Sequence, residues 1–307
     1  MRQWGCGDEL STTNSVSPDP KSSGDKSGRS RQTLELVKVF ALQLDIAWEN
    51  KAANYSKVTD LLASAKPPAD SLVVLPEMFA TGFTMNTENM AEPYGGETEK
   101  FLSQTAKAHG VWLVGGVAAF GAHGAFNKAL VLSPSGELAA YYAKQQLFTP
   151  GGESEHYLPG VMPRVFQWQR CITSLFVCYD LRFPELFRQA AAAHRPELFV
   201  VIASWPEKRI LHWVRLLQAR AIENQAYVVG VNRVGKDPYY TYVGRSLIID
   251  PNGDILADAG EGEGWVSADL DLEKLKQYRQ GLPFLDDMHP GLQAKGTHKV
   301  LQRRPSS

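Results

Sequence analysis

Two segments of this sequence resemble each other, and their repetition restricts the possible folds more than any other feature. Ala129–Ala140 and Ser246–Ala257 each contain an apolar run, a Pro-x-Gly turn and a second strand-like run. Such turns predict a β-hairpin in both places. Each hairpin closes a half of the chain in which strands and helices alternate, so we interpret the sequence as an internal pseudo-repeat. Two unrelated hairpins would give the same pattern, and this alternative stays open here.

A duplicated α/β unit predicts a four-layer αββα sandwich, in which two sheets lie face to face and helices cover the outside. The chain has 307 residues, of which 44% are hydrophobic, and this is enough for one large α/β core. Hydrophobic periodicity and end signals predict the main elements. The predicted strands cover 36–44, 71–75, 111–119, 126–132, 174–177, 198–203, 226–231 and 264–270, and the predicted helices cover 48–65, 97–109, 184–194, 211–225 and 271–280.

The two ends of the chain differ from this pattern. Residues 8–31 are rich in Ser, Gly, Pro, Asp and Lys and nearly free of large apolar side chains. Such a segment cannot bury enough surface to offset its ordering entropy, so residues 1–33 are predicted to be a disordered extension. Residues 34–290 then form the folded domain, and 291–307 form a C-terminal tail.

Deletion of residues 1–30 should leave both the activity and the melting temperature nearly unchanged, because the segment contributes nothing to a core. Thermal unfolding and turnover of the shortened and full chains measure this directly. A large drop in either quantity would show that the extension docks on the folded domain.

Charge and cysteine content exclude several classes of protein. The 32 basic and 33 acidic residues give a net charge of -1, which provides no basic surplus for nucleic acid. No apolar run reaches the ~18 residues that a membrane span needs. The cysteines Cys6, Cys171 and Cys178 are too few and odd in number for a disulfide framework, and they favour a reducing, cytoplasmic location. No CxxC or HExxH motif offers ligands for zinc.

Cys178 is the first candidate catalytic residue. It ends a buried strand, and Pro184 opens a helix shortly after it. Backbone N–H groups at a corner between strand and helix favour a thiolate and can bind an oxyanion. A small, buried, inert cysteine is the alternative. Cys171 lies in the same strand without such a corner, and we expect it only to pack.

Three charged residues follow other strands. Glu77 comes after the apolar run Val73–Pro76, where a partly desolvated carboxylate would suit a general base. Lys144 follows the first hairpin and could stabilise a thiolate, a carboxylate or an oxyanion. Glu153 or its neighbour Glu155 could hold this lysine, and spacing alone does not choose between them. Each residue also has an ordinary interpretation as a surface or salt-bridged charge.

Taken in order, Leu75-Pro76-Glu77, the strand-following Lys144 and the run from Cys178 to Glu185 resemble the Glu–Lys–Cys triad of the nitrilase (carbon–nitrogen hydrolase) superfamily. The resemblance extends over nearly all of residues 36–290. It implies an αββα sandwich, Cys178 as nucleophile, Glu77 as base and no cofactor. It places the family's second glutamate on Glu153. It also implies a homodimer or a higher homo-oligomer. Our mechanistic hypothesis adds Lys144 and the Tyr179 N–H as oxyanion donors.

Within that superfamily the sequence is most similar to the omega-amidases, especially their bacterial branch. The similarity lies in Pro76–Met85, Ala203–Pro206 and His212–Trp213. It implies hydrolysis of the terminal amide of a small carboxylated substrate, such as 2-oxoglutaramate or 2-oxosuccinamate, to the 2-oxo acid and ammonia. Gln145-Gln146 departs from the usual pattern, in which a basic residue and His follow the lysine.

Three residues are candidates for substrate contact. Phe83 and Trp205 are the expected pocket walls, although both could be core aromatics. Arg182 is the expected cation for a substrate carboxylate, although it could instead form a structural ion pair.

Three other functions stay open at this point. One is another activity of the superfamily, namely a deaminated-glutathione amidase, a carbamoyl-amide hydrolase or a nitrilase. The second is an unrelated Cys–His hydrolase, which would need a histidine beside Cys178. The third is a non-catalytic binding protein, which would have no need to keep Glu77, Lys144 and Cys178 together.

Overall fold

Two six-stranded sheets and a short two-stranded pair make up the β-structure of the computed structural model, which describes residues 36–288. The predicted extension at 1–33 and the predicted tail at 291–307 lie outside the described residues. The strands are β1 (Leu36–Gln43), β2 (Leu72–Val74), β3 (Trp112–Gly121), β4 (Gly124–Leu132), β5 (Leu138–Ala143), β6 (Val165–Trp168), β7 (Cys171–Val177), β8 (Leu198–Ile202), β9 (Tyr227–Val231), β10 (Val234–Lys236), β11 (Thr241–Val243), β12 (Leu247–Ile249), β13 (Ile255–Asp258) and β14 (Gly264–Asp271).

Seven α-helices alternate with these strands in the described part of the chain. They are α1 (Lys51–Ala65), α2 (Thr87–Met90), α3 (Glu97–His109), α4 (Glu153–His156), α5 (Pro184–His194), α6 (Ile210–Asn224) and α7 (Leu272–Gly281). Within residues 36–288, none of the helices has the length and apolar character needed to cross a bilayer.

The two large sheets have the same topology, which confirms the predicted pseudo-repeat. The first has the order β14-β1-β2-β3-β4-β5 and the second the order β13-β12-β9-β8-β7-β6. In each sheet three parallel strands are followed by an antiparallel hairpin, which is β4–β5 in one half and β12–β13 in the other. One further antiparallel strand pairs with the first parallel strand of each half, β14 with β1 and β6 with β7.

Alternation along the strands separates two cores. In β1, Val37, Val39 and Ala41 face the second sheet and pack with residues of β7, β8 and β9. Phe40 and Leu42 on the opposite face pack against the helices α1 and α3. Side chains of a strand point alternately to its two faces, so one strand contributes to both layers. The predicted αββα sandwich is therefore the observed fold.

The element boundaries agree closely with the predicted ones, and the differences have local causes. The helix α3 ends as predicted, with Gly110 in the left-handed conformation at φ 63°. The helix α1 begins at Lys51 rather than at residue 48, because the Asn50 side chain accepts a hydrogen bond from the Ala53 N–H and caps the helix. The strands β6, β10 and β11 were not predicted. They are only three or four residues long, too short for a periodic signal.

Candidate active site

Glu77 lies on the loop that follows β2, in the interior between the two sheets. Its side chain is fully buried. Its Oε2 accepts a hydrogen bond from the Ser204 N–H at 2.7 Å, and Ser204 follows β8, a parallel strand of the other sheet. The loop passes so close to β3 that a Cβ on Gly116 would lie 2.6 Å from the Glu77 Cα. A glycine at that position is therefore required for the carboxylate to reach the centre of the molecule.

Lys144 follows β5 and joins two carboxylates. Its Nζ lies 3.0 Å from Oε1 of Glu77 and 2.8 Å from Oε2 of Glu153, and all three side chains are fully buried. Asn127 on β4 donates from Nδ2 to both carboxylates, at 2.7 Å to Glu77 and 2.8 Å to Glu153. The Phe148 N–H also donates to Glu153. Glu155, the alternative partner for the lysine, is exposed, so the structure brings Glu153 and not Glu155 to Lys144.

Lys144 stays protonated although it is buried. Burial alone would lower the pKa of Lys144, but the carboxylates of Glu153 and Glu77 outweigh it, and the pKa is raised. The lysine is therefore cationic at all working pH values. It is a permanent positive charge between two buried acids.

Cys178 occupies the expected corner at the end of β7. Its backbone has φ 48°, a left-handed conformation that is uncommon for a non-glycine residue. The Sγ lies 3.9 Å from the Ser204 carbonyl oxygen. Desolvation and the negative charge of Glu77 raise the pKa of the thiol well above its usual value, although Lys144 acts in the opposite direction. The surroundings of Cys178 therefore favour the neutral thiol over the thiolate.

The buried side chain of Asp180 stabilises the corner at Cys178 through hydrogen bonds. It accepts hydrogen bonds from the Val177 N–H at 2.9 Å, the Gln146 N–H at 2.8 Å and the Tyr142 hydroxyl at 2.8 Å. These bonds tie the corner after β7 to the segment that follows Lys144. Burial raises the pKa of Asp180 from 3.8 to about 6, and the two backbone hydrogen bonds limit the increase.

The raised pKa of Asp180 predicts a pH-dependent stability. The folded protein binds a proton here more tightly than the unfolded chain does, so the contribution of Asp180 to stability falls as pH rises from about 4 through 6. When the pH is lowered from 7.5 to 4.5, the free energy of unfolding of the wild type should therefore rise relative to that of Asp180→Asn, by on the order of 1–3 kcal/mol. Denaturant unfolding at both pH values measures this difference. Asp269→Asn, at an exposed ion pair, is the control, and an Asp180→Asn difference that is equal at both pH values would contradict the assignment.

A narrow pocket with a cavity volume of about 20 Å³ leads to the thiol. Phe83, Trp205 and Arg182, the three predicted contact residues, all line it. The Phe83 ring lies 5.2 Å from the Lys144 Nζ. Trp205 is 2% exposed and also packs on Trp213, so it is both a pocket wall and a core aromatic. Arg182 stacks on the Trp205 ring at 4.7 Å, and within residues 36–288 it forms no ion pair with a carboxylate.

The sequence interpretation missed several residues of this site. Asn127 is a polar residue at a buried position of β4, and this unusual placement was the available signal. Arg209, Tyr240 and Tyr242 also line the pocket. They reach it from the turn before α6 and from the β10–β11 hairpin, neither of which carries a recognisable motif. Only the packing of these segments over Cys178 reveals them.

The structure gives no support to a Cys–His site. His212 Nδ1 lies 3.3 Å from an Arg182 nitrogen, and none of the described histidines is hydrogen-bonded to Cys178. In the part of the chain that the structure describes, no three His, Cys, Asp or Glu side chains are grouped so that they could hold a metal ion.

Comparison with known proteins agrees with the geometry. The family model described as carbon-nitrogen hydrolase matches residues 38–280. An omega-amidase of Yersinia enterocolitica is 39% identical over 258 residues, which cover 83% of this chain and 97% of the relative. A 2-oxoglutaramate amidase of Bacillus subtilis is 35% identical over 256 residues, covering 83% of this chain and 98% of the relative. The crystal structure of a CN-hydrolase superfamily protein from Xanthomonas campestris, with an arsenic adduct in its active site, superposes with a TM-score of 0.78 at 32% identity, covering 87% of this chain and 99% of that one.

Proposed function

The chain belongs to the carbon–nitrogen hydrolase family, and on this premise we propose that it hydrolyses the terminal amide of a small carboxylated substrate such as 2-oxoglutaramate or 2-oxosuccinamate. The products are the 2-oxo acid and ammonia. The enzyme is an amidohydrolase acting on carbon–nitrogen bonds other than peptide bonds. The observation that carries the proposal is geometric: Cys178 lines a narrow pocket, Ser204 contacts both the Cys178 Sγ and the Glu77 carboxylate, and Glu77 belongs to a buried cluster with Lys144 and Glu153.

The first half of the reaction forms a thioester. Glu77 removes the thiol proton while the Cys178 Sγ attacks the amide carbon. The Lys144 ammonium and the Tyr179 N–H bind the developing oxyanion. The Tyr179 N–H belongs to the first turn of the short 3-10 helix Cys178–Arg182, and amides in a first turn have no partner within their own helix. Collapse of the tetrahedral intermediate breaks the C–N bond, and Glu77 passes its proton to the leaving nitrogen.

The second half regenerates the thiol. A water molecule loses a proton to Glu77 and attacks the thioester carbon, and the same donors bind the second oxyanion. The carboxylic acid leaves as the Cys178 sulfur regains its proton. Glu153 acts by position: its two oxygens lie 3.0 and 2.8 Å from the Lys144 Nζ and hold the ammonium between the acids.

The nature of the substrate rests on the pocket walls and on the relatives. The narrow cavity, walled by Phe83 and Trp205, suits a short chain and excludes bulk. Arg182 offers a positive charge for the distal carboxylate. The omega-amidase of Y. enterocolitica and the 2-oxoglutaramate amidase of B. subtilis carry names that specify this class of amide.

A panel of substrates tests the proposal. Ammonia release from 2-oxoglutaramate should exceed release from neutral short amides, from nitriles, from carbamoyl amides and from deaminated glutathione. Preference for a nitrile, a carbamoyl amide or deaminated glutathione would assign the enzyme to another activity of the family. Absence of turnover on all of them would support a binding protein.

Arg182→Gln should raise KM for 2-oxoglutaramate about 10- to 100-fold, because a charge-assisted hydrogen bond is worth roughly 1.5–3 kcal/mol. KM for a neutral short amide should change little. Steady-state kinetics on both substrates measure the difference. Arg215→Gln, at an exposed position of α6, is the matched control. Equal losses on both substrates, or a lower melting temperature, would instead make Arg182 structural.

We also propose a cytoplasmic location and a homodimer or higher homo-oligomer. The location is favoured by the dependence of the mechanism on a reduced Cys178. The oligomer follows from the family resemblance. Sedimentation of the purified protein tests the oligomeric state.

A further inference from the structure

A second arginine reaches the same pocket from a different element. Arg209 ends the short 3-10 turn Glu207–Arg209 that precedes α6. Its backbone is fixed at both sides: its N–H donates to the Pro206 carbonyl at 3.0 Å, and its carbonyl accepts from the Trp205 indole N–H at 2.9 Å. Trp205 is a wall of the pocket, so the position of Arg209 is set by the pocket itself.

The two guanidinium groups lie on two different aromatic side chains that line the pocket. Arg209 stacks over Phe148 at 5.5 Å, and Arg182 stacks over Trp205 at 4.7 Å. Stacking holds a guanidinium in place by its face, so its N–H groups can still bind a ligand. One Arg182 nitrogen lies 3.3 Å from His212 Nδ1, and the other Arg182 N–H groups remain for a substrate. Burial and the charge of Arg209 both lower the pKa of Arg182.

No acid neutralises this pair within residues 36–288. Neither arginine has a carboxylate oxygen within salt-bridge distance in the described part of the chain. Glu207 is exposed. Asp237 is occupied by the Tyr242 hydroxyl at 2.6 Å and by the amides of Tyr239 and Tyr240. Two like charges in a half-buried pocket raise the free energy of the empty site, and an anion relieves that cost.

Arg209 lines two neighbouring cavities. One is the narrow pocket that Cys178 and Arg182 also line, and the other has a volume of about 480 Å³ and shares Pro206 and Tyr240 with it. Because Cys178, Arg182 and Arg209 line one pocket, a substrate bound at Cys178 can place its far end beside both guanidinium groups.

We propose that Arg209 is a second specificity-determining residue, which together with Arg182 forms a two-guanidinium subsite for the distal carboxylate of the substrate. This rests on the proposed amidase function and deepens it. The substrate class is the monoamides of short dicarboxylic acids, including their 2-oxo forms. Two planar donors offer more N–H groups than one carboxylate can use, and the remainder suit the ketone oxygen of a 2-oxo acid.

Succinamate and butyramide form a matched pair of probes, because they share the chain length and the reacting amide and differ in the distal carboxylate. Arg209→Gln should raise KM for succinamate about 10- to 100-fold, with kcat and the butyramide reaction nearly unchanged. Arg209→Lys should recover part of the loss, since it keeps the charge but not the fork. Arg215→Gln, an arginine on α6 outside the pocket, should behave as wild type.

The combined variant supplies the second measurement. If both arginines bind one carboxylate, the loss in Arg182→Gln/Arg209→Gln should be non-additive for succinamate. Equal losses on succinamate and butyramide, or a KM for succinamate that Arg209→Gln leaves unchanged, would overturn the subsite. A wild-type enzyme that prefers butyramide would instead overturn the proposed function, so the two failures are distinguishable.

Discussion

Replacing Cys178 by alanine should lower kcat/KM by on the order of 10⁴- to 10⁶-fold, while the protein stays folded. The substitution removes the sulfur that would form the thioester, and none of the remaining groups at the end of the pocket can replace it as a nucleophile. Glu77 and Lys144 would still polarise the amide, so a small residual rate is expected. Ammonia release from 2-oxoglutaramate, measured with the melting temperature, gives the result.

Cys171→Ala is the matched control for this experiment. Cys171 begins the same strand, β7, and is buried in the main core, where desolvation raises its pKa to about 12. Its loss should cost some stability through packing and leave kcat/KM unchanged. Substantial ammonia release by a folded Cys178→Ala protein would refute the thioester mechanism.

Lys144→Met should destabilise the protein by about 3–5 kcal/mol and abolish turnover. Methionine has a similar volume, so packing is largely kept. The buried carboxylates of Glu77 and Glu153, which share contacts with Lys144 and Asn127, would then face each other without a counter-charge. Because uptake of one proton relieves that repulsion, the destabilisation should be larger at pH 8 than at pH 5. Denaturant unfolding at both pH values measures it.

Lys128→Met is the control for that variant. Lys128 is on β4, is partly buried between the rings of Phe126 and Tyr141, and makes no ion pair among the described residues. Removing its charge should lower the free energy of unfolding by at most about 1 kcal/mol, and the loss should be the same at pH 8 and at pH 5. If Lys144→Met were no more destabilising than Lys128→Met, the buried cluster could not be the electrostatic centre of the site.

The elements that could be predicted from the sequence are those specified by local signals. The helices α3 and α5 begin and end at the predicted residues. Gly110 terminates α3 and Pro184 begins α5, and both act through backbone preferences that need no tertiary context. The two hairpins were identifiable from their turn chemistry. The alternation of buried strands with amphipathic helices was enough for the αββα sandwich, since each apolar face must be covered by another layer.

The candidate catalytic residues were accessible for the same reason. Glu77 and Cys178 each follow a run of buried strand residues, and a polar group in that position is out of place unless it functions there. Their motifs also carry the family resemblance, which placed Lys144 and Glu153. The sequence could not show whether Glu153 or Glu155 binds Lys144. The two glutamates lie two positions apart, and only the orientation of the short helix α4 buries the first and exposes the second.

Local signals along the chain specify the order and type of the elements, the pseudo-repeat and the motifs at the strand ends. The residues that lie across from those motifs depend on how the two sheets pack. Asn127 on β4 bridges two acids, and Trp205 contacts two arginines, with its ring against Arg182 and its indole N–H donating to the Arg209 carbonyl. The two Asn127 contacts join residues 26 and 50 positions apart. They depend on how the sheets pack, and packing is a property of the whole chain that no local preference encodes.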